Sequence, residues 1–427
     1  MKVWIDVLGC PKNEADSLVI AELLTHSGYE IVDDLENADV AIVNTCGFIA
    51  AAKEESINEI FHVVKCKQKK PVRLIVHGCL VQRYMHELRS GIPEVDAYLG
   101  VVSPKKIVEA VEKSYDFVGT PQPTYEFSGR KIDDKPYAYV KVGDGCSRHC
   151  AFCAIPHIKG PLKNRSIGDI VKEAKFLVKS GKREIILVSQ DLTQYHDEYK
   201  NLVHLTHAID EINGDFWVRL LYLYPDGVTN ELIEFVKHSR HFLHYFDIPI
   251  QHASPKILEK MHRNPDVKGL KAKFLKIKES IEDAILRTTV MVGFPGETDE
   301  DFEKLVNFMR EIEFDRLGAF IYSDEEDTDA YSIKSKVPKI IAKKRYDRIM
   351  RIQEKISLSK NKNRIGKVLN VIVESGKDGI YIGRTYMDAP EIDGYVHFTS
   401  SKSLKSGDIA RVKIEDYEFH DLEGVAL

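Results

Sequence analysis

The sequence has no run of about eighteen apolar residues, which excludes a helix that crosses a membrane. Charge of one sign is also missing. With 61 Lys and Arg against 66 Asp and Glu the formal net charge is -5, and no bulk affinity for nucleic acid follows from that balance. The first residues, Met1-Lys2-Val3-Trp4-Ile5-Asp6, enter an amphipathic strand at once and lack the apolar core and cleavage site of a secretion signal, so a cytoplasmic location is expected. Cysteine is scarce. An odd total of 7 in 427 residues does not suit a disulfide scaffold, and in a chain without an export signal it suggests a metal protein. Self-similar repeats are lacking as well, which sets aside a solenoid. What remains is an ordinary globular composition, 43% hydrophobic and 30% charged, over a length that calls for two or three domains.

Six of the seven cysteines form two trios, and the tighter one organises the chain. Gly145-Cys146-Ser147-Arg148-His149-Cys150-Ala151-Phe152-Cys153 directly follows a strand-like run at residues 137–142. Three thiols at spacings of three and two intervening residues can converge on one soft metal centre, and thiolates favour iron-sulfur clusters or zinc. A closed zinc site would recruit a fourth ligand, for which His149 and His157 are at hand. A 4Fe-4S cluster on three cysteines instead leaves one iron open.

The second trio is dispersed. Apolar runs at 3–8, 40–43 and 74–76 each lead into a cysteine, Cys10, Cys46 and Cys79, and helical patterns follow at about 13–26, 51–67 and 81–90. A β-α-β-α-β-α order with right-handed crossovers makes the strands parallel and puts every strand-to-helix turn on one edge of the sheet. Ligands of open α/β sheets bind beyond that edge, so the three cysteines are expected to meet there. Three unrelated core thiols are the plainer alternative. Cys66 falls late in a helix, away from any strand end, and reads as a packing thiol.

Residues 119–136, with Pro, Thr and mixed charge, read as a surface linker. Beyond it, apolar runs at 137–142, 184–189, 216–221, 245–250, 286–292 and 317–322 alternate with helical segments and read as buried parallel strands. Between Lys334 and Lys367 there are 13 Lys or Arg and only 2 acids, Asp347 and Glu354, on a helical pattern. Such a helix is more often a solvated face than a footprint for RNA phosphates, and a ribosomal or transfer RNA contact stays open. From Lys367 to Leu427 short alternating runs separated by Gly, Asp and Ser suit a small antiparallel barrel. This segment holds 7 Lys and Arg against 11 Asp and Glu, and an acidic face repels RNA while attracting a basic protein such as a ribosomal one.

The C-x3-C-x2-C spacing, with Phe152 just before the last cysteine, closely resembles the signature of the radical S-adenosylmethionine (SAM) superfamily. In that family the amino and carboxylate groups of SAM chelate the open iron, and an electron from the cluster splits SAM into methionine and a 5'-deoxyadenosyl radical. Leu8-Gly9-Cys10-Pro11-Lys12-Asn13 with Asp16-Ser17, Asn44-Thr45-Cys46 and Gly78-Cys79 resembles the N-terminal domain of the methylthiotransferases, whose second 4Fe-4S cluster carries the sulfur to be transferred.

The resemblance implies two 4Fe-4S clusters, held by Cys10, Cys46, Cys79 and by Cys146, Cys150, Cys153, and two SAM molecules per turnover. It also implies an α/β architecture in three parts: an N-terminal open parallel sheet (1–118, then a linker at 119–131), a partial (β/α)6 radical SAM barrel with a basic C-terminal helix (132–365), and a small TRAM barrel of OB-like type (366–427). SAM contacts are expected from Phe152 beside the adenine, from Gln190 and Asp191 at the amino group, and from Arg219 and Arg287, taken to lie on adjacent strand segments, at the carboxylate. Gln251, Val292 and Gly293 are expected along the same mouth, with the glycine turn bringing backbone close to the nucleoside.

Cys-Pro-Lys-Asn at Cys10 to Asn13 in place of a Cys-Gln-Met-Asn run, together with the stretch from Thr385 to Gly394, resembles the branch that modifies the β-carbon of an aspartate on the small-subunit ribosomal protein at the decoding centre. That branch implies a basic ribosomal protein as substrate, met through the acidic TRAM domain, an electron donor such as flavodoxin or ferredoxin, and a monomer. The branch acting on transfer RNA adenosine is the nearest alternative, and a non-catalytic iron-sulfur electron carrier is a more distant one.

Overall fold

The computed structural model describes residues 1–122 and 124–427. Its first part is a five-stranded, wholly parallel sheet in the spatial order Glu30–Ile31, Lys2–Val7, Val40–Thr45, Arg73–Gly78, Ala97–Leu99. Val40–Thr45 is buried at every position, because helices cover both faces and leave its alternate side chains no solvent side. The order in which strands are added reverses between Lys2–Val7 and Val40–Thr45, since the chain first goes to one side of Lys2–Val7 and then to the other. That switch point opens the crevice in which sheets of this kind bind ligands. The two short edge strands and the helix Pro104–Glu112 extend the sequence expectation of three strands and three helices.

The six expected barrel strands all form, as Tyr137–Lys141, Glu184–Val188, Trp217–Leu220, Tyr245–Asp247, Ile285–Val292 and Arg316–Ile321. They make two parallel three-stranded sheets that meet where Val218 bridges to Phe242, just before Tyr245–Asp247, and where the Leu223 N–H donates to the Asp247 carbonyl at 2.9 Å. The result is an open barrel with two exposed-edge problems. Helix Pro11–His26 of the first domain packs on the strand Tyr137–Lys141 at one edge, and the basic helix Lys339–Lys362 packs on Arg316–Ile321 at the other. Ala342, Arg345, Ile349, Gln353, Ser357 and Asn361 form the buried stripe of that helix, three and four residues apart.

The last domain is a closed barrel in the order Val368–Lys377, Ile380–Arg384, Val396–Thr399, Leu422–Ala426, Ile409–Tyr417. It is antiparallel except where Val396–Thr399 pairs in parallel with Leu422–Ala426, a departure from the fully antiparallel expectation that lets five strands close. This barrel shares one apolar core with the underside of the larger one, where Tyr137, Tyr245 and Ile285 meet Val371, Met387 and Val396.

The linker is held more closely than a surface strap. Pro123, within the expected 119–131 linker, lies outside the described residues. Phe127 and Arg130 are buried. The Phe127 ring lies tilted against Phe176 with centroids 5.5 Å apart and its backbone N–H donates to Asp169 at 2.8 Å, while Arg130 pairs with buried Glu173 at 2.9 Å. A lone aromatic and a lone guanidinium signal nothing in sequence until the barrel helix Ile167–Lys179 supplies their partners.

Candidate active site

The strand-to-helix turns bring Cys10, Cys46 and Cys79 to the same edge of the first sheet. Cys10 caps the helix Pro11–His26 and Cys79 opens the helix Cys79–Gly91. Two glycines record how tightly the turns abut. A methyl group on Gly9 would lie 2.6 Å from Cys46 Cβ and 2.9 Å from its Sγ, and one on Gly47 would lie 2.7 Å from the Leu80 Cα. Neither position accepts a Cβ, so the trio depends on glycine next to cysteine. Burial pushes the Cys79 thiol up to about 12 and raises that of Cys46, so these thiols ionise only when positive charge shares the site.

The second trio sits in one loop at the carboxyl end of the strand Tyr137–Lys141. Burial likewise pushes the Cys153 thiol up to about 12 and raises that of Cys146. Donors surround its sulfurs. The Arg148 N–H is 3.4 Å from Cys146 Sγ, Gln194 Nε2 is 3.9 Å from the same sulfur, and Arg263 Nη1 is 3.9 Å from Cys150 Sγ. Gln194 and Arg263 escaped the sequence reading, because nothing in their local pattern links them to the cysteines.

The trios face each other. Cys79 packs in one small cluster with Val101, Ala154 and Ile158, and Ala154 directly follows Cys153. The interface between them is charged and dry. Lys12 and Lys159 are each 4% exposed, and Asp144 is fully buried. Lys159 donates to Asp144 at 3.0 Å, Gln190 Nε2 donates to the other Asp144 oxygen at 3.0 Å, and Lys141 pairs with Asp16. Desolvation opposes the charge of Asp144, but the ammonium groups of Lys159, Lys141 and Lys12 outweigh it and hold the carboxyl well below the usual carboxylate range.

The residues expected to contact SAM divide into two groups. Phe152, Gln190, Asp191, Gln251, Val292 and Gly293 do stand at or just beyond the carboxyl ends of the barrel strands. Phe152 packs on a cluster with Met261, Phe294 and Ala330. Asp191 is already engaged, accepting from Arg148 Nε at 2.9 Å, Gln194 Nε2 at 2.8 Å and Thr193, so it aims Arg148 and Gln194 at the cysteine loop. Gln251 adopts a left-handed backbone, φ 66°, beyond the strand Tyr245–Asp247, where it bridges to Val290. Gly293 has φ 75°, and a methyl there would strike Ala342 Cβ at 2.6 Å, so close approach of the basic helix by itself demands glycine. Its N–H donates to the Glu297 carboxylate, which pairs with Arg345 at 3.3 Å.

Arg219 and Arg287 belong elsewhere. They are not on adjacent strands, and both side chains are taken up by groups of the barrel and of the last domain. Arg219, fully buried, donates to Glu184 at 2.6 Å and to the Tyr386 carbonyl at 2.9 Å. Arg287 pairs with Asp247 at 2.8 Å and Asp393 at 3.4 Å. With Arg316 on Asp388 at 2.5 Å and Arg384 on Glu184 at 2.7 Å, they form a buried lattice that fastens the last domain under the barrel. A guanidinium on a strand was readable; which carboxylate would reach it was not.

Family models match three segments: uncharacterized protein family UPF0004 over residues 2–100, the radical SAM superfamily over 140–309, and a TRAM domain over 365–427. The ribosomal protein uS12 methylthiotransferase RimO of Thermosipho africanus is 47% identical over 427 residues, covering 99% of each chain. That of Thermotoga maritima is 47% identical over 430 residues with 99% of each chain covered, and that of Petrotoga mobilis 44% over 431 with the same coverage. The chain belongs to the RimO family of ribosomal protein uS12 methylthiotransferases. Among solved structures, the radical SAM methyltransferase TsrM from Kitasatospora setae superposes with a TM-score of 0.57 at 14% identity, covering 74% of this chain and 72% of that one. The cobalamin-dependent radical SAM enzyme OxsB gives 0.54 at 10% identity, covering 72% and 51%. At those identities they show the fold alone, and the RimO family supplies the three-domain order.

Proposed function

We propose that the protein is a radical SAM methylthiotransferase that adds a methylthio group to the β-carbon of an aspartate of uS12, with Cys146, Cys150 and Cys153 holding one 4Fe-4S cluster and Cys10, Cys46 and Cys79 a second. The donor chemistry fits: each trio is all thiol, and backbone and side-chain N–H groups approach the sulfurs of Cys146 and Cys150. Among the described residues no three His, Cys, Asp or Glu side chains gather tightly enough for a single metal ion, and a cluster asks for a wider arrangement. When bound, the clusters and SAM supply the electron, the radical and the sulfur.

The chain's own residues position and enclose. Asp191 orients Arg148 and Gln194 beside the barrel trio, and the Gly293 turn, fastened by Glu297, shapes the side of the mouth. Glu325, which is 2% exposed, accepts from Lys53 at 2.8 Å and Arg83 at 3.0 Å, while Arg83 also donates to the Gly47 carbonyl at 2.8 Å beside Cys46. That clamp ties the N-terminal trio to the barrel rim. The observation that supports the reading is the packing of Cys79 on Ala154, one residue beyond Cys153, which makes the two trios neighbours.

Substrate entry is proposed through the exposed acids of the TRAM domain, Asp378, Glu415, Asp416, Glu418 and Glu423, since Asp388 and Asp393 are spent on the barrel. The basic helix commits Arg345, Arg348 and Lys360 to barrel carboxylates, which favours the solvated-face reading over a ribosomal RNA contact. We place the enzyme in the cytoplasm as a monomer served by a flavodoxin- or ferredoxin-type donor. The test is mass spectrometry of a deletion strain. A loss of about 46 Da from uS12, with transfer RNA unchanged, is the expected result, and the reverse pattern would point to the transfer RNA branch.

A further inference from the structure

Four lysines are buried among the described residues: Lys12, Lys141, Lys159 and Lys182. Three have a carboxylate partner, Lys141 with Asp16, Lys159 with Asp144 at 3.0 Å and Lys182 with Asp133. Lys12 has none within ion-pair distance among the described residues. Its Nζ makes one long hydrogen bond, 3.5 Å to the Ser189 carbonyl, and lies 5.2 Å from the centroid of the Tyr222 ring.

Keeping an ammonium there is costly on two counts. Burial strips its hydration with no carboxylate in direct contact among the described residues, and only the more distant Cys10, Tyr222 and Asp144 offset that. Lys12 also stands in the first turn of the 16-residue helix Pro11–His26, whose amino-terminal dipole repels a cation. Its place is informative. Ser189 directly follows the barrel strand Glu184–Val188 and Tyr222 lies just beyond Trp217–Leu220 with a left-handed φ of 61°, so the Nζ sits at the carboxyl-end mouth, two residues from Cys10.

We propose that Lys12 is the receptor for the carboxylate of the substrate's acidic side chain. The inference rests on the reading that the modified residue is an aspartate. An ammonium has three donors. One is lightly used on Ser189, which leaves two for an anion. Because the β-carbon is bonded to the carboxyl carbon, an ion pair at Lys12 would fix the reacting carbon within a bond of an anchored group, between the two trios. The same pair would give Lys12 a direct carboxylate partner only when the correct side chain arrives, which makes it a specificity device.

The experiment compares anaerobic holoenzyme binding to uS12 and to uS12 carrying Asn at the modified aspartate, for wild type and for Lys12→Met and Lys12→Gln variants matched to wild type in iron content. Wild type should bind the Asp form about tenfold or more tighter, and both variants should lose that preference. Equal binding of the two forms by wild type overturns the assignment, whatever the variants do. So does a variant that keeps the preference while its N-terminal cluster changes reduction potential, since Lys12 would then serve the cluster as a counter-ion. If wild type leaves uS12 unmodified, the functional reading itself fails; if it modifies uS12 without preferring Asp, only the role of Lys12 does.

Discussion

The barrel trio comes from one loop of eight residues, whereas the N-terminal trio takes one cysteine from each of three strand-to-helix turns between Cys10 and Cys79. The first is local and depends on one turn conformation. The second exists only when a five-stranded sheet has formed in register. Their surroundings differ in the same sense: side-chain donors reach the sulfurs of Cys146 and Cys150, while the N-terminal trio is bounded by close backbone approaches at Gly9 and Gly47 and by buried ammonium groups. Under the proposed division of labour, the site that would meet SAM is the local one and the site that would carry the sulfur is the one assembled by the sheet.

Replacing cysteines separates the two most sharply. Cys146→Ala, Cys150→Ala or Cys153→Ala should abolish both 5'-deoxyadenosine and methylthiolated product. Cys10→Ala, Cys46→Ala or Cys79→Ala should abolish product while 5'-deoxyadenosine still appears by chromatography. Loss of cleavage in both sets would merge the two sites into one. Iron analysis should find the reconstituted protein about halved in iron in either set.

The next effect concerns the underside. Glu184 holds two buried guanidiniums, Arg219 at 2.6 Å and Arg384 at 2.7 Å. Glu184→Ala leaves both without that charge and should destabilise the fold by about 3–5 kcal/mol in denaturant unfolding, releasing the TRAM domain from the barrel. Glu325→Ala is milder, about 2 kcal/mol, because Lys53 remains partly solvated, and should appear as faster amide exchange around Gly47 and the helix Ala50–Lys67.

That clamp also has a pH signature. Burial opposes the Glu325 charge, but hydrogen bonds from Lys53, Ser323 and Arg83 outweigh it and lower its pKa below the ordinary 4.5. A carboxyl lowered in the folded state contributes stability above 4.5, and that contribution fades as pH falls through the lowered value. Wild type should therefore lose stability on acidification in that window faster than Glu325→Gln. Smallest of all is Cys66→Ser: the thiol is half-buried on the helix Ala50–Lys67, and iron content should not change.

Much of this was legible from residue order. Strand-like runs ending in cysteine, the helical period after each, and the short spacings of the second trio follow from backbone periodicity and turn geometry, which act over a few residues. Domain order and the family resemblance rest on the same local signals. The errors fell on side chains whose partners are distant in sequence. Arg219 and Arg287 were expected at SAM and instead bind the TRAM domain, and Phe127 and Arg130 were read as a surface linker.

The sequence alone determined which thiols stand at strand ends, which segments alternate, and how the three parts follow one another. Tertiary structure alone decided which charge meets which. Arg219 finds the Tyr386 carbonyl 167 residues away and Arg384 finds Glu184 at a separation of 200, while Lys12 has no carboxylate within ion-pair distance among the described residues. Periodicity is a property of neighbouring backbone units, but desolvation and ion pairing depend on everything that a closed fold brings within a few ångströms.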